Sequence, residues 1–361
     1  MKKIEIIGII GGGQLGMMMC EAAYTLGFKC IVLDPNPNCS ASKICSSIIV
    51  GSFDDVKAYE TLAKQCDIIT YEFENIPYTY VKMLMDNGFQ IPQGEKPLYI
   101  TQNRIREKNA IQTLGFTTVK YFEIHSLKQL DEIVHKTDGK FILKTSFGGY
   151  DGKGQWHIND ESDLANIHSI YKENVEYILE EKITLKKEIS CIVHRNAQGE
   201  TAAQPIFENV HKDGILHYSI SPSTLNNITL EQAKSIAISL IEKLNFIGTL
   251  AVEMFIDTKD DIFINELAPR PHNSGHLSIE ACDYSQFYCH ILAITGQPLP
   301  KPLLKQNALM LNIIGDEYLS AKTLYCNYYF HDYFKLIQEK RKMAHVTFLG
   351  KDADKIKEEL V

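Results

Sequence analysis

No CxxC pair occurs among the nine cysteines of this 361-residue chain, so their spacing indicates neither a zinc site nor a disulfide framework. An odd number of scattered thiols reads as reduced, partly buried side chains. Excess positive charge is also missing. The formal net charge of −8 argues against a nucleic-acid protein while leaving room for a local basic pocket. No apolar run is long enough to span a membrane. The opening Met1-Lys2-Lys3-Ile4-Glu5-Ile6 has a basic start, but Glu5 and the glycines that follow interrupt it and no cleavage pattern appears, so a signal peptide is not expected. Internal repeats, low-complexity tracts and a Walker A phosphate loop are likewise absent. What is present is an ordinary soluble composition, 45% hydrophobic and 23% charged, in a chain long enough for two or three domains and expected in the cytoplasm.

An apolar run over 4–10 ends in Gly11-Gly12-Gly13-Gln14-Leu15-Gly16, followed by a helical stretch over 17–26 and a strand over 29–33 ending at Asp34-Pro35. This unit opens a doubly wound, parallel-sheet α/β domain, with further strands expected over 47–50 and 67–71. Pro92 and Pro97 punctuate its exit, which places a boundary near residue 100. The turn fits GxGxxG, and Asp34 lies eighteen residues beyond Gly16, as in a nicotinamide dinucleotide site. Nothing downstream assembles a hydride-transfer site. The turn is therefore read as phosphate-binding, and a nicotinamide-binding oxidoreductase is the lesser alternative. A second unit over about 116–183 holds a strand (141–144), a glycine loop (146–155) and a helix (160–171). Strands, a helix over 230–244, a hairpin and a helix over 278–294 follow. The expected domains are 1–100, 101–298 with the small unit inside it, and a small β-rich domain over 299–361.

The richest stretch is Asn265-Glu266-Leu267-Ala268-Pro269-Arg270-Pro271-His272-Asn273-Ser274-Gly275-His276. Apolar runs over 249–256 and 262–264 flank Lys259-Asp260-Asp261, a hairpin turn, so Glu253 and Glu266 should lie on neighbouring strands with Asn265 beside them. Two carboxylates and an amide oxygen make a hard-cation site that suits Mg²⁺ when substrate phosphates complete its shell. Arg270 and Asn273 follow at once, suited to charge on a transferring phosphoryl group. Upstream, Phe147-Gly148-Gly149-Tyr150-Asp151-Gly152-Lys153-Gly154 has four glycines in eight positions after the Lys144 strand, a mobile loop able to approach phosphates closely. Glu180-Glu181-Lys182-Ile183 with Glu188 sits where a connector between two subdomains would read adenine by its backbone and ribose by a carboxylate. Taken singly, each of these is as well a solvated turn; their order raises the nucleotide reading. His211 is a weaker candidate for phosphate contact, and Lys335 with Arg341-Lys342 for a substrate phosphate.

This order of glycine turn, strand lysine, glycine lid, hinge glutamates, paired metal glutamates and Arg-Pro-His-Asn resembles the ATP-grasp superfamily. Within it, Gly11–Gly16, Thr70-Tyr71-Glu72-Phe73-Glu74-Asn75, residues 147–155 and 265–283, and Arg341-Lys342-Met343-Ala344-His345 are similar to the N5-carboxyaminoimidazole ribonucleotide synthases, across essentially the whole chain. The resemblance implies an ATP-grasp fold after the first domain. It also implies ATP- and bicarbonate-dependent carboxylation of 5-aminoimidazole ribonucleotide through carboxyphosphate, with Mg²⁺ on Glu253 and Glu266. Lys108 and Lys144 would pair with phosphates under Gly149 and Gly152, and Glu180, Glu181, Lys182, Ile183 and Glu188 would bind adenosine with His211 nearby. Arg270 and Asn273 would steady carboxyphosphate. Asp151 would orient the substrate amine, with Lys153 supporting the carboxyl. Gln14, Leu15, Glu74, Tyr150, Lys335, Arg341 and Lys342 would cradle the ribonucleotide. Such enzymes are commonly homodimers. Met17, Ser146 and Ala344 depart from the family's usual residues. A formate-dependent glycinamide ribonucleotide transformylase is the nearest alternative.

Overall fold

Ile6–Ile10 and Lys29–Asp34 are runs rich in isoleucine and valine, buried along nearly their whole length, as strands covered on both faces must be. In the computed structural model, which describes residues 3–137, 139–148 and 154–360, they pair in parallel within a four-stranded sheet. Its order is Ser47–Val50, Lys29–Asp34, Ile6–Ile10, Ile68–Tyr71. Helix Gln14–Thr25 leaves the glycine turn and buries Met17, Met18, Met19 and Cys20 against Ile7, Ile9 and Val32. Met17 is thus a core side chain. Phe287 and Ile291 of helix Gln286–Ile294 join the same core, so apolar burial, worth about 1.5–3 kcal/mol for each such side chain, ties the first domain to the middle of the chain.

A second, antiparallel sheet has the order Tyr121–Ile124, Tyr177–Glu181, Phe141–Thr145, Gln155–Ile158. Helices Leu127–Lys136 and Glu161–Ile170 cover it, each started by a side chain, Ser126 or Asp160, that accepts backbone N–H groups of the first turn. Gln155, read above as the end of the glycine loop, is the first residue of a strand.

The third sheet has nine strands. Eight run in the order Ile262–Ala268, Gly248–Asp257, Leu185–Arg195, Phe207–Lys212, Ile215–Ser221, Ala308–Ile314, Lys342–Leu349, Tyr329–Asp332, and Thr201–Ala203 pairs with Leu185–Arg195 beside this path. Helix Asn227–Lys243 lays Ala233, Ala237, Leu240 and Ile241 on it, one stripe at helical spacing. The C-terminal strands continue this sheet, because Ala308–Ile314 pairs antiparallel with Ile215–Ser221. Helices Glu317–Leu324 and Lys351–Leu360, which the residue pattern left unread, close its far core with Ala321, Ala353 and Ile356.

One expected helix is broken. Residues 278–294 form Ser278–Ala281 and Gln286–Ile294, with Cys282 bridged to Leu304 between them. Ser285 accepts the Tyr288 N–H and Asp283 accepts that of Leu303 at 2.7 Å, so two polar side chains offer the backbone a better ending than continuation. All nine cysteines are unpaired. Among the described residues no helix is long and apolar enough to cross a membrane.

Candidate active site

The hairpin register puts Glu253 directly opposite Glu266, with a bulge immediately after Glu253 that re-aims the strand. Both carboxylates line a cavity of about 600 Å³ between the second and third sheets and the first domain. Burial and then the neighbouring Glu266 charge push the Glu253 carboxyl up to about 7, while His211 and Lys342 oppose the rise. Two carboxylates facing one another in a partly dry wall make a place where a cation would relieve repulsion. Among the described residues no group of three His, Cys, Asp or Glu side chains is placed to hold a metal ion.

Strand Ile262–Ala268 is gripped from behind by helix Arg104–Thr113. Arg104 Nη1 donates to Glu266 Oε2 at 3.4 Å, Glu107 accepts the Leu267 N–H at 2.8 Å, and Lys108 Nζ donates to the Asn265 carbonyl at 2.8 Å. Lys108 therefore stands behind the cavity wall rather than on it. Its ammonium also lies 3.4 Å from Glu180. Lys144 does line the cavity and donates to Glu180 Oε2 at 2.5 Å. Burial disfavours the Glu180 charge, but Lys108 and Lys144 outweigh it and hold the carboxyl at about 2. Glu181, Lys182, Ile183 and Glu188 line the same wall. His211 Nδ1 lies 2.7 Å from Glu188 Oε2, and this contact raises its pKa although burial alone would lower it.

The opposite wall comes from the loop after Glu266 and from the first domain. Arg270 Nε donates to Glu74 Oε2 at 2.5 Å. Burial works against the Glu74 charge, yet Arg270 prevails and keeps the carboxyl below its usual value. Asn273 is buried, and neither its Nδ2 nor its Oδ1 has a hydrogen-bond partner among the described residues. Gln14, Leu15 and Lys342 complete the lining. Lys335 does not line it but donates to Gln14 Oε1 at 2.6 Å. Of the basic pair, Lys342 lines the cavity, while Arg341 Nη1 donates to Gln338 Oε1 at 3.4 Å. Gly149, Tyr150, Asp151, Gly152 and Lys153 lie outside the described residues.

The glycine turn needs a correction. Glu72 accepts the N–H groups of Gly13 and Gly16, both at 2.6 Å, and Asp34 accepts that of Gly12 at 2.8 Å. These carboxylates satisfy amides read above as a phosphate cradle, and Asp34 is not presented to a ribose. Gln14 and Leu15 are what this turn contributes to the cavity.

Comparison with known proteins covers nearly the whole chain. A model of the ribonucleotide synthetase preATP-grasp domain matches residues 1–102, the ATP-grasp domain matches 109–287, and the phosphoribosylaminoimidazole carboxylase C-terminal domain matches 308–359. The N5-carboxyaminoimidazole ribonucleotide synthase of Staphylococcus aureus strain MRSA252 is 40% identical over 359 residues, which is 98% of this chain and 95% of that protein. This chain belongs to the N5-carboxyaminoimidazole ribonucleotide synthase family. The family places it among ATP-dependent ligases of purine biosynthesis. The crystal structure of the Staphylococcus aureus synthetase complexed with ADP matches with a TM-score of 0.93 at 39% identity, covering 99% of this chain and 96% of that one. The Aspergillus clavatus enzyme, solved with ADP and 5-aminoimidazole ribonucleotide, matches with a TM-score of 0.92 at 27% identity over 100% and 97%.

Several residues of this synthase-family site escaped the sequence reading. Arg104 stands three positions before Glu107 and four before Lys108 on one helix, a spacing at which side chains can share a target. Glu72 gave no such signal, since its partners lie 56 and 59 residues away. His272 lines the cavity with Nε2 3.1 Å from Glu253 Oε1; burial first, and then Arg270, holds its pKa well below the usual histidine value.

Proposed function

We propose that this chain carboxylates 5-aminoimidazole ribonucleotide at the expense of ATP, with bicarbonate as the carbon source. The observation that carries the reading is the single cavity in which Glu253 and Glu266 face one another between the hinge residues Glu181–Glu188 and the first-domain residues Gln14, Leu15 and Glu74. Adenosine fits the hinge wall, with Glu181, Lys182 and Ile183 offering backbone and Glu188 a carboxylate beside His211. Lys144 faces the phosphates, and Lys108 supports it through their shared partner Glu180. Glu253 and Glu266, with Asn265 adjacent, would hold Mg²⁺, which supplies neutralising charge between phosphates and an anionic nucleophile.

Bicarbonate oxygen attacks the γ-phosphorus as the bond to ADP breaks, giving carboxyphosphate. Arg270, steadied by Glu74, and Asn273, whose buried amide has no partner among the described residues, are proposed to bind that anion. The exocyclic amine of the ribonucleotide then takes the carboxyl group, and phosphate leaves. Asp151 and Lys153 are proposed to orient that amine and carboxyl, with Tyr150, Lys335 and Lys342 on the ribonucleotide. The unit of about 116–183, with Gly149 and Gly152 in its loop, is proposed to close over the phosphates and keep water from a short-lived intermediate. The cytoplasmic location and homodimeric state expected from the sequence belong to this reading and rest on the family alone.

ADP release with Mg-ATP tests it, adding the ribonucleotide and bicarbonate separately and then together. Release that requires both, and that formate cannot sustain in place of bicarbonate, is the expected result. Glu266→Gln should lose nearly all of this release with an unchanged far-ultraviolet circular dichroism spectrum. Turnover that ignores the ribonucleotide, or survives that substitution, refutes the assignment.

A further inference from the structure

Glu253 has Glu266 opposite it on one neighbouring strand and Ser190 opposite it on the other. From Ser190 a row of side chains returns to Glu253 through the loop that follows Ala268. Ser190 Oγ donates to Ser274 Oγ at 2.7 Å. Ser274 Oγ lies 2.9 Å from His272 Nδ1, and the Ser274 backbone N–H donates to that same nitrogen at 3.4 Å. His272 Nε2, across the ring, lies 3.1 Å from Glu253 Oε1. Both serines are fully buried. The backbone of His272 is held on both sides by Gln286, which accepts its N–H at 2.8 Å and donates to its carbonyl at 2.6 Å. Gly275 makes room for this clamp, since a Cβ there would meet Gln286 Oε1 at 2.5 Å.

The hydrogen-bond directions decide how the imidazole is protonated. Ser274 receives the Ser190 proton, so its own hydroxyl proton is free to go to Nδ1, and a backbone N–H is aimed at the same atom. Nδ1 is an acceptor, and a neutral imidazole with Nδ1 accepting carries its one proton on Nε2. We propose that Ser274, oriented by Ser190, fixes His272 as the Nε2–H tautomer and so holds the Glu253 carboxylate in place for its cation. The opposite tautomer would turn a lone pair toward Glu253 and repel it. Ser190 and Ser274 are positioning residues, of the kind that sets ligand orientation from behind a metal site. Their role rests on the reading of Glu253 given under Proposed function, whereas the tautomer itself does not.

Histidine-selective ¹⁵N labelling of the whole protein, without nucleotide and at a pH where Glu253 is ionised, reads the tautomer directly, with His272 assigned by the loss of its signals in His272→Gln. The wild type should show a protonated Nε2 and an unprotonated Nδ1. Ser274→Ala, which keeps the weaker backbone donor to Nδ1, should move the pair toward an average, and Ser190→Ala should move it less, in the same direction. A protonated Nδ1 in the wild type, or no change in either variant, overturns the proposal. Titrating ADP release with Mg²⁺ gives the second arm: the half-saturating concentration should rise about 10–100-fold in Ser274→Ala, with KM for the ribonucleotide unchanged. Equal damage to both constants is what a merely structural serine would give, and would refute the positioning role. Should Ser274→Ala fail to fold, Ser190→Ala, which keeps the Ser274 hydroxyl, carries both arms. A wild-type protein with the Nε2–H tautomer but no ribonucleotide-dependent release would uphold the tautomer and sink the proposed reaction.

Discussion

Glu180 shows how much one carboxylate can be asked to do when it is taken out of water. It is almost wholly buried, and its two oxygens face Lys144 at 2.5 Å and Lys108 at 3.4 Å. Removing one partner of such a group leaves the others charged and unpaired, which costs about 3–5 kcal/mol. Glu180→Gln should therefore lower the unfolding free energy at neutral pH, read from urea titration, by an amount of that order. The pH dependence follows from the direction of the shift. The folded pKa of about 2 lies below the ordinary value of 4.5, so the stabilisation is complete above about 4.5 and is lost as pH falls through about 2. The gap between wild type and Glu180→Gln should accordingly narrow as pH is lowered across that window. Equal midpoints at neutral pH would mean that Lys108 and Lys144 find other partners, and the account of this wall would fail. Sequence reading placed Glu180 among the adenosine contacts because it stands at a strand end. That its carboxylate turns inward to two lysines could not be read from residue types, because strand alternation gives the face and not the depth.

At the scale of elements, the glycine turn before helix Gln14–Thr25 separates what a motif specifies from what it does not. GxGxxG announces a tight turn and a close approach of helix to strand, and the structure has both. A Cβ on Gly16 would lie 2.5 Å from the Gly11 carbonyl oxygen, backbone against backbone, with no flexible side chain to yield. Gly16→Ala should thus force the helix off the strand at a cost of about 1–3 kcal/mol, seen as a lower melting temperature; an unchanged melt would show that the contact is looser than drawn. What the motif did not specify is the ligand of the turn. The amides of Gly13 and Gly16 are taken by Glu72, the residue after strand Ile68–Tyr71, and only the folded parallel sheet brings Ile10 and Tyr71 side by side so that the following residue can reach them. The helix over 278–294 fails for a related reason. Its apolar spacing is helical throughout, but the partners that end it early, Leu303 and Leu304, lie beyond its C-terminus and outside any local window.

For the whole molecule, the decisive fact is that the large sheet does not stop where the C-terminal segment begins. The run over 299–361 reads locally as a small unit of its own, because nothing in its residues says which distant strand Ala308–Ile314 will join. In the fold Ser221 pairs with Ala308, so the strand order crosses 87 residues of sequence in a single step. Tyr218 and Ile220 share one core with Leu309, Leu311, Val346 and Phe348. The same segment carries Lys342 to the cavity and Lys335 to Gln14. A chain ending at residue 298 would therefore lose more than two basic side chains. It would uncover the edge of Ile215–Ser221 and the apolar face behind it, and an unprotected flat edge with buried-type residues is a template for association. Such a truncated protein should collect in the insoluble fraction or as large oligomers on size exclusion, whereas Lys342→Ala in the full chain should stay soluble with a near wild-type melt. A soluble truncated monomer that unfolds cooperatively at the wild-type temperature would show that the ATP-grasp sheet closes its own edge, and the C-terminal strands would then be an attachment rather than part of the sheet that supports the site.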